Sequence, residues 1–388
     1  MKQKEKKTDT YEGFEQGPIR PPSEAASLLI RITRNCPWNR CTFCPIYKQQ
    51  TFSLRPVDHV LKDIDAIARH LYDIQYLMEK SGPVSREAMN NLAAKVDKEE
   101  WMAFYAAQNW INAGMHSIFL QDANSLIIKP DRLLQILEHL KQRFPWVERI
   151  TSYARSHTIF RISDSNLRQF AASGLNRIHI GMESGSDKVL ALIRKGVDKE
   201  TQIRAGLKVK KAGMELSEYV MPGLGGKEFS SDHALETADA LNQINADFIR
   251  LRTLAIPNHV ELYKNFISGA FDKLGDRAMA EELLLFLESL GGITSTLKSD
   301  HILSLFEEVE GTFPEDKQRM TKVIRRFLAM KSEEQIIYQV GRRTGLFSRL
   351  DQLAEPDMRR RAEKTCAKLH VTPENVDSIV DEMTKRFI

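Results

Sequence analysis

Short apolar runs alternate with amphipathic segments through the first two thirds of the chain. Each run is followed by a stretch whose apolar positions have helical spacing, which is the pattern of alternating β-strands and α-helices. Runs two to six begin about 28–40 residues apart, the length of one strand and helix unit, and strands joined in this way pair in parallel. The six predicted strands are 28–33, 117–120, 149–153, 177–182, 217–221 and 248–254.

The interval between the first two predicted strands is much longer than the others. It predicts a helical insertion at about 70–112, whose Trp101, Phe104, Tyr105 and Trp110 either pack as core or cover an opening, core being the commoner role of such residues. Beyond residue 260 the strand signal stops and helix starts and stops dominate.

These patterns predict an α/β fold with a partial (β/α)6 TIM-like barrel and an all-helical C-terminal domain. The predicted boundaries are a polar tail at 1–26, the barrel at 27–260 and the helical domain at 261–388. In such barrels, the loops that follow the strands form the active-site mouth.

Composition describes an ordinary globular protein. The 388 residues are 42% hydrophobic and 28% charged, which excludes collagen-like, wholly disordered and disulfide-scaffold classes. No run approaches the roughly 18 apolar residues of a membrane helix, and the first residues are charged where a signal peptide is apolar. We therefore predict a cytoplasmic protein without a membrane partner.

Cysteine is concentrated in one loop directly after the first predicted strand. Three of the four cysteines, Cys36, Cys41 and Cys44, fall within nine residues, and such crowding in a reducing compartment indicates metal ligands. Three thiolates can bind three irons of a [4Fe–4S] cluster and leave the fourth iron open to a small molecule. The alternatives are a structural zinc site with His59 as fourth ligand, and a redox Cys-x-x-Cys that leaves the third cysteine unexplained.

The cysteine loop, with Phe43 before its last cysteine, resembles the radical S-adenosylmethionine (SAM) superfamily. The segments LNRIHIGMESGSDKVLALIRKG and SEYVMPGLGG strengthen the resemblance, which extends over about residues 27–257. The most similar part of that superfamily is the core shared by methylthiotransferases, the elongator catalytic subunit and oxygen-independent coproporphyrinogen dehydrogenase. One feature departs from the family pattern, because the common C-x3-C-x2-C spacing is here C-x4-C-x2-C.

The resemblance implies an enzyme that binds a [4Fe–4S] cluster on the three cysteines and cleaves SAM reductively. The resulting 5′-deoxyadenosyl radical would abstract hydrogen from an unidentified substrate, with electrons from a donor such as a flavodoxin or ferredoxin. It further implies that Glu183 contacts the ribose hydroxyls, that Pro222 and Gly223 run beside the adenine, and that Asp122 or Asn124 meets the methionyl amine. Phe43 completes this set of cofactor-binding residues.

Polar residues on the predicted strands supply further candidates. His179 shares a strand face with Glu183 and is either a satisfied core histidine or a functional one. Arg155 follows the third strand, and Arg250 and Arg252 share one face of the sixth. These arginines are candidates to bind a carboxylate of SAM or of the substrate, with structural salt bridges as the alternative.

Positive charge is concentrated near the C-terminus. Residues 316–370 carry 14 Lys and Arg against 7 Asp and Glu, which usually means solvated helix faces. The alternative function is a metal-stabilised nucleic-acid-binding protein without SAM chemistry, and we expect a small-molecule substrate rather than nucleic acid. The arginines that would bind nucleic acid are Arg325, Arg326, Arg342, Arg343 and 359–361.

The remaining cysteine, Cys366, is predicted to lie on the apolar stripe of a helix with Ala362 and Leu369. A second iron–sulfur cluster needs about three or four further ligands. The sequence therefore argues against sulfur insertion through an auxiliary cluster.

Overall fold

The computed structural model describes residues 10–81 and 85–385. In the described ranges, the strands are β1 Leu28–Arg31, β2 Thr33–Arg34, β3 Ser53–Leu54, β4 Ser117–Gln121, β5 Arg149–Ala154, β6 Leu175–Glu183, β7 Glu215–Val220, β8 Phe248–Leu251, β9 Thr296–Lys298 and β10 Gly311–Thr312. The helices are α1 Val57–Ser81, α2 Arg86–Ala93, α3 Trp101–Asn112, α4 Pro130–Arg143, α5 Ser156–Arg161, α6 Asp164–Ala172, α7 Asp187–Leu192, α8 Lys199–Lys211, α9 Ser230–Ile244, α10 Glu261–Ile267, α11 Asp276–Ser289, α12 Lys317–Leu328, α13 Ser332–Arg343, α14 Pro356–Lys368 and α15 Val376–Thr384.

Eight of the strands form one sheet in the order β1-β4-β5-β6-β7-β8-β9-β10. The pairs β1–β4, β4–β5, β7–β8 and β8–β9 are parallel, and β10 is antiparallel to β9. Every residue of β4 is buried, as expected for a parallel strand covered on both faces. The six predicted strands and the α/β fold class are therefore confirmed.

Two features of the sheets were not predicted. The short strands β9 and β10 lie beyond residue 260, where only helices were expected. β2 and β3 pair with each other in a separate antiparallel ladder, with Thr33 opposite Leu54 and Arg34 opposite Ser53. Strands of two or three residues are too short to show a period-2 pattern, so these strands could not be predicted from the sequence.

The described chain divides into two compact units. The first contains residues 10–37, 49–178 and 211–214, and the second contains 38–48, 179–210 and 215–385. Strand β6 contributes to both, because the division falls after Ile178. The predicted boundary at residue 260 is not a boundary between these units.

The first unit has its core between β1, β4 and β5 and the helices α1, α3 and α4. Trp110 of α3 is 2% exposed, donates its indole N–H to the Ser117 carbonyl at 2.9 Å and meets the Phe144 ring edge-on. Phe104 is also buried, whereas Trp101 and Tyr105 are about half exposed. The insertion therefore contributes core on one face only.

Residues 10–26, expected to form a tail, instead pack within the first unit. Glu15 accepts hydrogen bonds from Arg31 at 2.6 Å and from Arg34 at 2.9 Å, and Phe14 is buried. Tyr11 donates its hydroxyl to Asp63 at 3.0 Å. The remaining residues of the predicted tail, 1–9, lie outside the described part of the chain.

The second unit has α9 and α11 packed together and an aromatic cluster in its C-terminal part. The rings of Phe306, Phe327, Tyr338 and Phe347 lie with centroids 5.3–6.1 Å apart in successive pairs. The buried Tyr338 hydroxyl donates to the Leu305 carbonyl at 3.0 Å, so its polar group is satisfied. In neither unit does a described helix combine the length and apolar character needed to cross a bilayer.

Candidate functional site

The thiol loop, residues 35–52, begins directly after β2 and returns at β3, so the two-stranded ladder closes its base. Asn35 adopts a left-handed conformation with φ of 67° and donates its side-chain amide to the Thr51 carbonyl at 2.7 Å. This contact fixes the start of the loop, immediately before Cys36. The side chain of Cys36 is partly exposed.

Asp122 holds the same end of the loop within the first unit. Its buried carboxylate accepts a hydrogen bond from Arg31 at 2.8 Å and from the backbone N–H of Asn35 at 3.3 Å. A carboxylate between a guanidinium and a backbone donor is well satisfied. Asp122 was predicted to meet the methionyl amine of SAM, and in this structure its contacts position the loop that carries Cys36.

Asn124 also fixes backbone in the first unit. Its amide donates to the Thr158 hydroxyl at 2.9 Å, and its side-chain oxygen accepts the Arg155 backbone N–H at 3.0 Å. Asn124 is 1% exposed. Asn124 and Arg155, both predicted to bind the cofactor, are thus neighbours joined by a hydrogen bond.

The second half of the thiol loop is held within the second unit. Lys48 donates to the carbonyl oxygens of Asn39 at 3.2 Å and Cys41 at 2.8 Å. The backbone of Thr42 donates to the Ile193 carbonyl at 3.0 Å and accepts from Leu262 at 2.9 Å. These bonds give the longer C-x4-C segment a defined path.

Trp38 anchors this half of the loop as well. Its indole N–H donates to the Arg194 carbonyl at 2.8 Å. Its ring lies so close to Gly196, whose φ is 70°, that a Cβ on that glycine would be 2.2 Å from the ring. Only glycine fits both the backbone conformation and the space at that position.

Phe43 packs in an apolar cluster rather than in solvent. It is 8% exposed and is buried with Val189, Ile193 and Leu262, and Cys41 and Cys44 pack against the edge of the same cluster. Phe43 was predicted as a cofactor-binding residue. Its contacts here are with the apolar support of the two cysteines.

The kind and number of donors on the loop fit an iron–sulfur cluster. Three thiols on one short loop, in no disulfide bond within the described chain, are the ligand set that such clusters use. No three His, Cys, Asp or Glu side chains among the described residues are gathered so that they could hold a metal ion. His59, the alternative zinc ligand, has its ring edge-on to Tyr11 and lies 3.7 Å from the Asp58 carboxylate.

Glu183 and Lys195 form a largely buried ion pair at the end of β6. The Lys195 ammonium donates to Glu183 Oε1 at 3.0 Å, and the side chains are only 12% and 13% exposed. Glu183 has a left-handed backbone with φ of 64°, and its carbonyl accepts the Met221 N–H at 3.0 Å. Sequence reasoning selected Glu183 but missed Lys195, although it belongs to the LNRIHIGMESGSDKVLALIRKG segment.

Glu218 on β7 is a second buried carboxyl that sequence reasoning missed. It is fully buried, and neither of its oxygens has a hydrogen-bond partner among the described residues. Burial raises its pKa well above the usual range, the Lys195 charge opposes that rise, and the Glu183 charge adds to it. Burial therefore favours the neutral form of the Glu218 carboxyl.

His179 lies on β6 and is fully buried. Its ring meets the Tyr219 ring edge-on with centroids 5.5 Å apart. This contact is compatible with both predicted roles of His179.

The loop after β7 is held by α11, which lies beyond residue 260. Glu282 Oε1 accepts the Gly223 N–H at 2.7 Å, and Oε2 accepts the Ser230 hydroxyl at 2.7 Å. Gly223 has φ of 84°, and a Cβ there would be 2.3 Å from the Met279 methyl group. Pro222, which precedes it, is buried. The loop predicted to run beside adenine is thus in contact with α11 in this structure.

Arg250 and Arg252 both bind one carboxylate of the chain itself. Arg250 Nη1 donates to Asp300 Oδ2 at 3.0 Å, and Arg252 Nη1 donates to Asp300 Oδ1 at 2.8 Å. The sequence made these arginines candidates for a carboxylate of SAM or of the substrate, with structural salt bridges as the alternative, and their contact in this structure is a salt bridge within the chain. Asp300 itself was missed, because nothing in the sequence links it to Arg250 and Arg252, which lie 50 and 48 positions before it.

The basic stretch at 316–370 is divided between surface and core. Arg342 and Arg343 are 7% exposed and donate to internal carbonyls, to Glu307 and to Asp276, contacts that argue against a part for these two arginines in the alternative nucleic-acid-binding function. Arg325 and Arg326 are exposed and are paired with Glu288 and Asp351. The side chains that line a cleft of about 840 Å³ here are Glu288, Lys317, Gln318, Thr321, Lys322, Arg325 and Arg326.

Curated proteins with similar sequences include two described as tRNA uridine(34) acetyltransferases. The protein from Methanocaldococcus infernus is 21% identical over 265 residues, which is 66% of this chain and 47% of the relative. The protein from Methanocaldococcus jannaschii is 20% identical over 282 residues, or 70% of this chain and 50% of the relative. The chain thus matches about half the length of these relatives. No family model matches the sequence.

Solved structures to which this chain is similar include radical SAM enzymes. Coproporphyrinogen III oxidase from Escherichia coli, described as a radical SAM enzyme, is 15% identical with a TM-score of 0.44. The match covers 68% of this chain and 52% of the oxidase chain. A radical SAM methyltransferase from Kitasatospora setae is 13% identical with a TM-score of 0.41 and covers 61% of this chain and 36% of its own. Several of these similar proteins are described as radical SAM enzymes, the superfamily that the sequence resembles.

Proposed function

We propose that this chain is a radical SAM enzyme in which Cys36, Cys41 and Cys44 bind a [4Fe–4S] cluster. The observation that carries the proposal is the thiol loop, which bears three thiols in nine residues and is fixed by hydrogen bonds at both ends. Thiolate is the ligand that iron–sulfur clusters use, and three leave one iron open for a small molecule. A structural zinc site would need a fourth protein ligand.

When bound, the cluster and SAM would supply one-electron cleavage of SAM and a 5′-deoxyadenosyl radical for hydrogen abstraction. The chain's part is to bind, orient and keep water away. Lys195 fixes the Glu183 carboxylate, whose proposed part is to accept hydrogen bonds from the ribose hydroxyls of SAM. The apolar cluster around Phe43 keeps water from one side of Cys41 and Cys44.

The other residues predicted to bind the cofactor also have proposed roles around SAM. Arg155, partly exposed, is proposed to bind the SAM carboxylate. Asp122 and Asn124 position the surrounding backbone, and Pro222 and Gly223 form the loop beside the adenine. We propose the cytoplasm as the compartment, since thiolate ligands stay reduced there, and a flavodoxin or ferredoxin as electron donor.

Anaerobic reconstitution with iron and sulfide tests the proposal. We expect about four irons and four sulfides per chain, and release of 5′-deoxyadenosine on adding SAM and a reductant. Replacement of Cys36, Cys41 or Cys44 by Ala is expected to abolish both, whereas Cys366→Ala, the matched control, leaves both unchanged. Stoichiometric zinc in anaerobically purified protein, with no cluster after reconstitution, would refute the proposal.

RNA is a second candidate as the substrate class, favoured by the basic cleft near Arg325 and by the tRNA named in two relatives. Four cations and one carboxylate line the cleft, a balance suited to phosphates. Filter binding of tRNA at increasing salt tests this. We expect affinity to fall steeply with salt and to drop in Lys322→Glu. A flat salt response, or equal binding by the variant, would leave a small molecule as the substrate.

A further inference from the structure

Arg250 and Arg252 form a buried cationic site at the end of β8, here called the arginine pair. Their side chains are 6% and 14% exposed. Arg250 Nε also donates to the Ser217 hydroxyl at 3.2 Å, and the Arg252 guanidinium lies 4.8 Å from the centre of the Tyr219 ring. The pair is therefore held in place by β7 independently of its carboxylate partner.

Charge is not balanced at the arginine pair. Two guanidinium groups share the single Asp300 carboxylate, and no other carboxylate is within ion-pair distance of either in the described chain. The nearby cations Lys298 and Arg343 have their own partners, Glu310 and Asp276. One positive charge is therefore left without a counter-charge in a largely buried place.

Hydrogen-bond donors are also left over at the same place. Arg252 Nη2 is buried and has no acceptor among the described residues, and the buried Nδ1 of the neighbouring His301 has no partner there either. Burial, together with the Arg252 charge, lowers the pKa of His301 to about 4, so the imidazole adds no charge of its own at neutral pH. A salt bridge that served stability alone would gain from matched charges and satisfied donors.

Asp300 is more exposed than either arginine of the pair. Its side chain is 30% exposed, and it lies in the segment between β9 and β10 rather than in a strand or helix. Although burial alone would raise its pKa, the bond and charge from Arg252 lower the pKa, so it is ionised at neutral pH. A carboxylate of this kind resembles the oxyanion that two adjacent arginines bind.

We propose that the arginine pair binds an oxyanion of the substrate, a carboxylate or a phosphate, in competition with the Asp300 carboxylate. An incoming oxyanion uses the two guanidinium groups and the unused Nη2 of Arg252. Asp300 thereby keeps the site occupied in the free protein and moves aside toward solvent. The assignment of this oxyanion to the substrate rests on the proposed function, whereas oxyanion binding by the arginine pair does not.

Titration of the full chain with sodium phosphate and with sodium acetate, against chloride at equal ionic strength, tests the proposal by calorimetry. We expect saturable binding to wild type and binding about tenfold tighter to Asp300→Asn, because a competing ionic hydrogen bond is removed. Tighter binding of phosphate than of acetate would indicate that the natural ligand carries a phosphate, and the reverse order would indicate a carboxylate. Glu363→Gln, which removes one of the two carboxylates paired with the exposed Arg359, is the matched control and should bind like wild type.

Arg252→Gln is expected to lose the binding. Arg252→Lys keeps the charge but not the paired N–H donors of the guanidinium, and should give intermediate affinity. This variant tests the proposal if the Gln variant does not fold. No saturable binding by Asp300→Asn, or unchanged affinity in folded Arg252 variants, would overturn the proposal. So would displacement of phosphate by SAM, which would assign the site to the cofactor. These titrations need neither the cluster nor SAM cleavage. Their result therefore remains valid even if the proposed radical SAM function is refuted.

Discussion

At the scale of single residues, Cys366 and Cys41 show how the same thiol acquires different roles. Cys366 packs against Ile336, Val376 and Val380 on the apolar side of α14, and burial raises the pKa of its thiol. Cys41 lies in the thiol loop with its carbonyl held by Lys48. A thiol with a raised pKa is a poor ligand and behaves as a small apolar group.

Replacement of Cys366 by Ala is therefore expected to affect stability only. The half-buried sulfur is lost from a small apolar contact, so the free energy of unfolding should fall by about 1–2 kcal/mol. Urea denaturation measures this. A loss of iron from the reconstituted Cys366→Ala protein would show that this cysteine is a ligand.

His301 predicts a pH dependence of stability. Its pKa of about 4 in the folded protein is below the ordinary 6.5, so the unfolded chain binds more protons between these values. Its contribution is complete above about pH 6.5 and is lost as pH falls toward 4. At about pH 5 the loss would be about 2 kcal/mol.

Urea midpoints at about pH 7 and about pH 5 measure this dependence. Carboxylates titrate in the same range, so the informative quantity is the difference between wild type and His301→Gln. The variant should lose less stability on acidification. Equal losses in both proteins would mean that His301 is not held neutral.

At the scale of elements, the contact between α11 and the loop after β7 carries a prediction about Gly223. Gly223→Ala introduces a Cβ at φ of 84° and 2.3 Å from the Met279 methyl group. Gly213 has nearly the same φ, 82°, and nothing within 4 Å. The two glycines therefore separate backbone strain from crowding.

Gly213→Ala should cost about 1–2 kcal/mol, the penalty of the left-handed backbone alone. Gly223→Ala should cost about 1–3 kcal/mol more because of overpacking, and Met279→Ala should relieve most of that excess. Chemical denaturation of the single and double variants measures the coupling. Equal costs at both glycines would show that α11 does not press on the loop.

Elements were predicted as well as their length allowed. The six long strands were found because buried parallel strands are continuous apolar runs. β2, β3, β9 and β10 are two or three residues long and carry no pattern. Glu282 and Asp300 were missed because their partners lie about 50–60 residues away in sequence.

At the scale of the whole molecule, the residues after 260 complete the second unit. β9 pairs with β8, α11 packs on α9, and Glu282 and Asp300 satisfy buried donors of the loop and the arginine pair. A chain that ends at residue 260 would leave these donors and an apolar helix face unpaired. The sequence predicted a barrel domain over 27–260, so the predicted boundary and these contacts lead to opposite expectations for a chain cut at residue 260.

We therefore expect a 1–260 fragment to lose cooperative unfolding of the second unit and to bind a hydrophobic dye. Calorimetry and dye fluorescence of the fragment and the full chain make the comparison. A sharp transition in the fragment at the temperature of the full chain would instead support the domain boundary predicted from the sequence.

Trp38 gives the thiol loop an optical signal of its own. Its indole is tied to the Arg194 carbonyl and lies on Gly196, with the Arg40 guanidinium 5.1 Å from the ring centre, between Cys36 and Cys41 in sequence. A chain in which Trp101, Trp110 and Trp146 are replaced by Phe would emit from Trp38 alone. Its emission wavelength would report whether the indole remains seated, and quenching would follow the arrival of a coloured cofactor in real time.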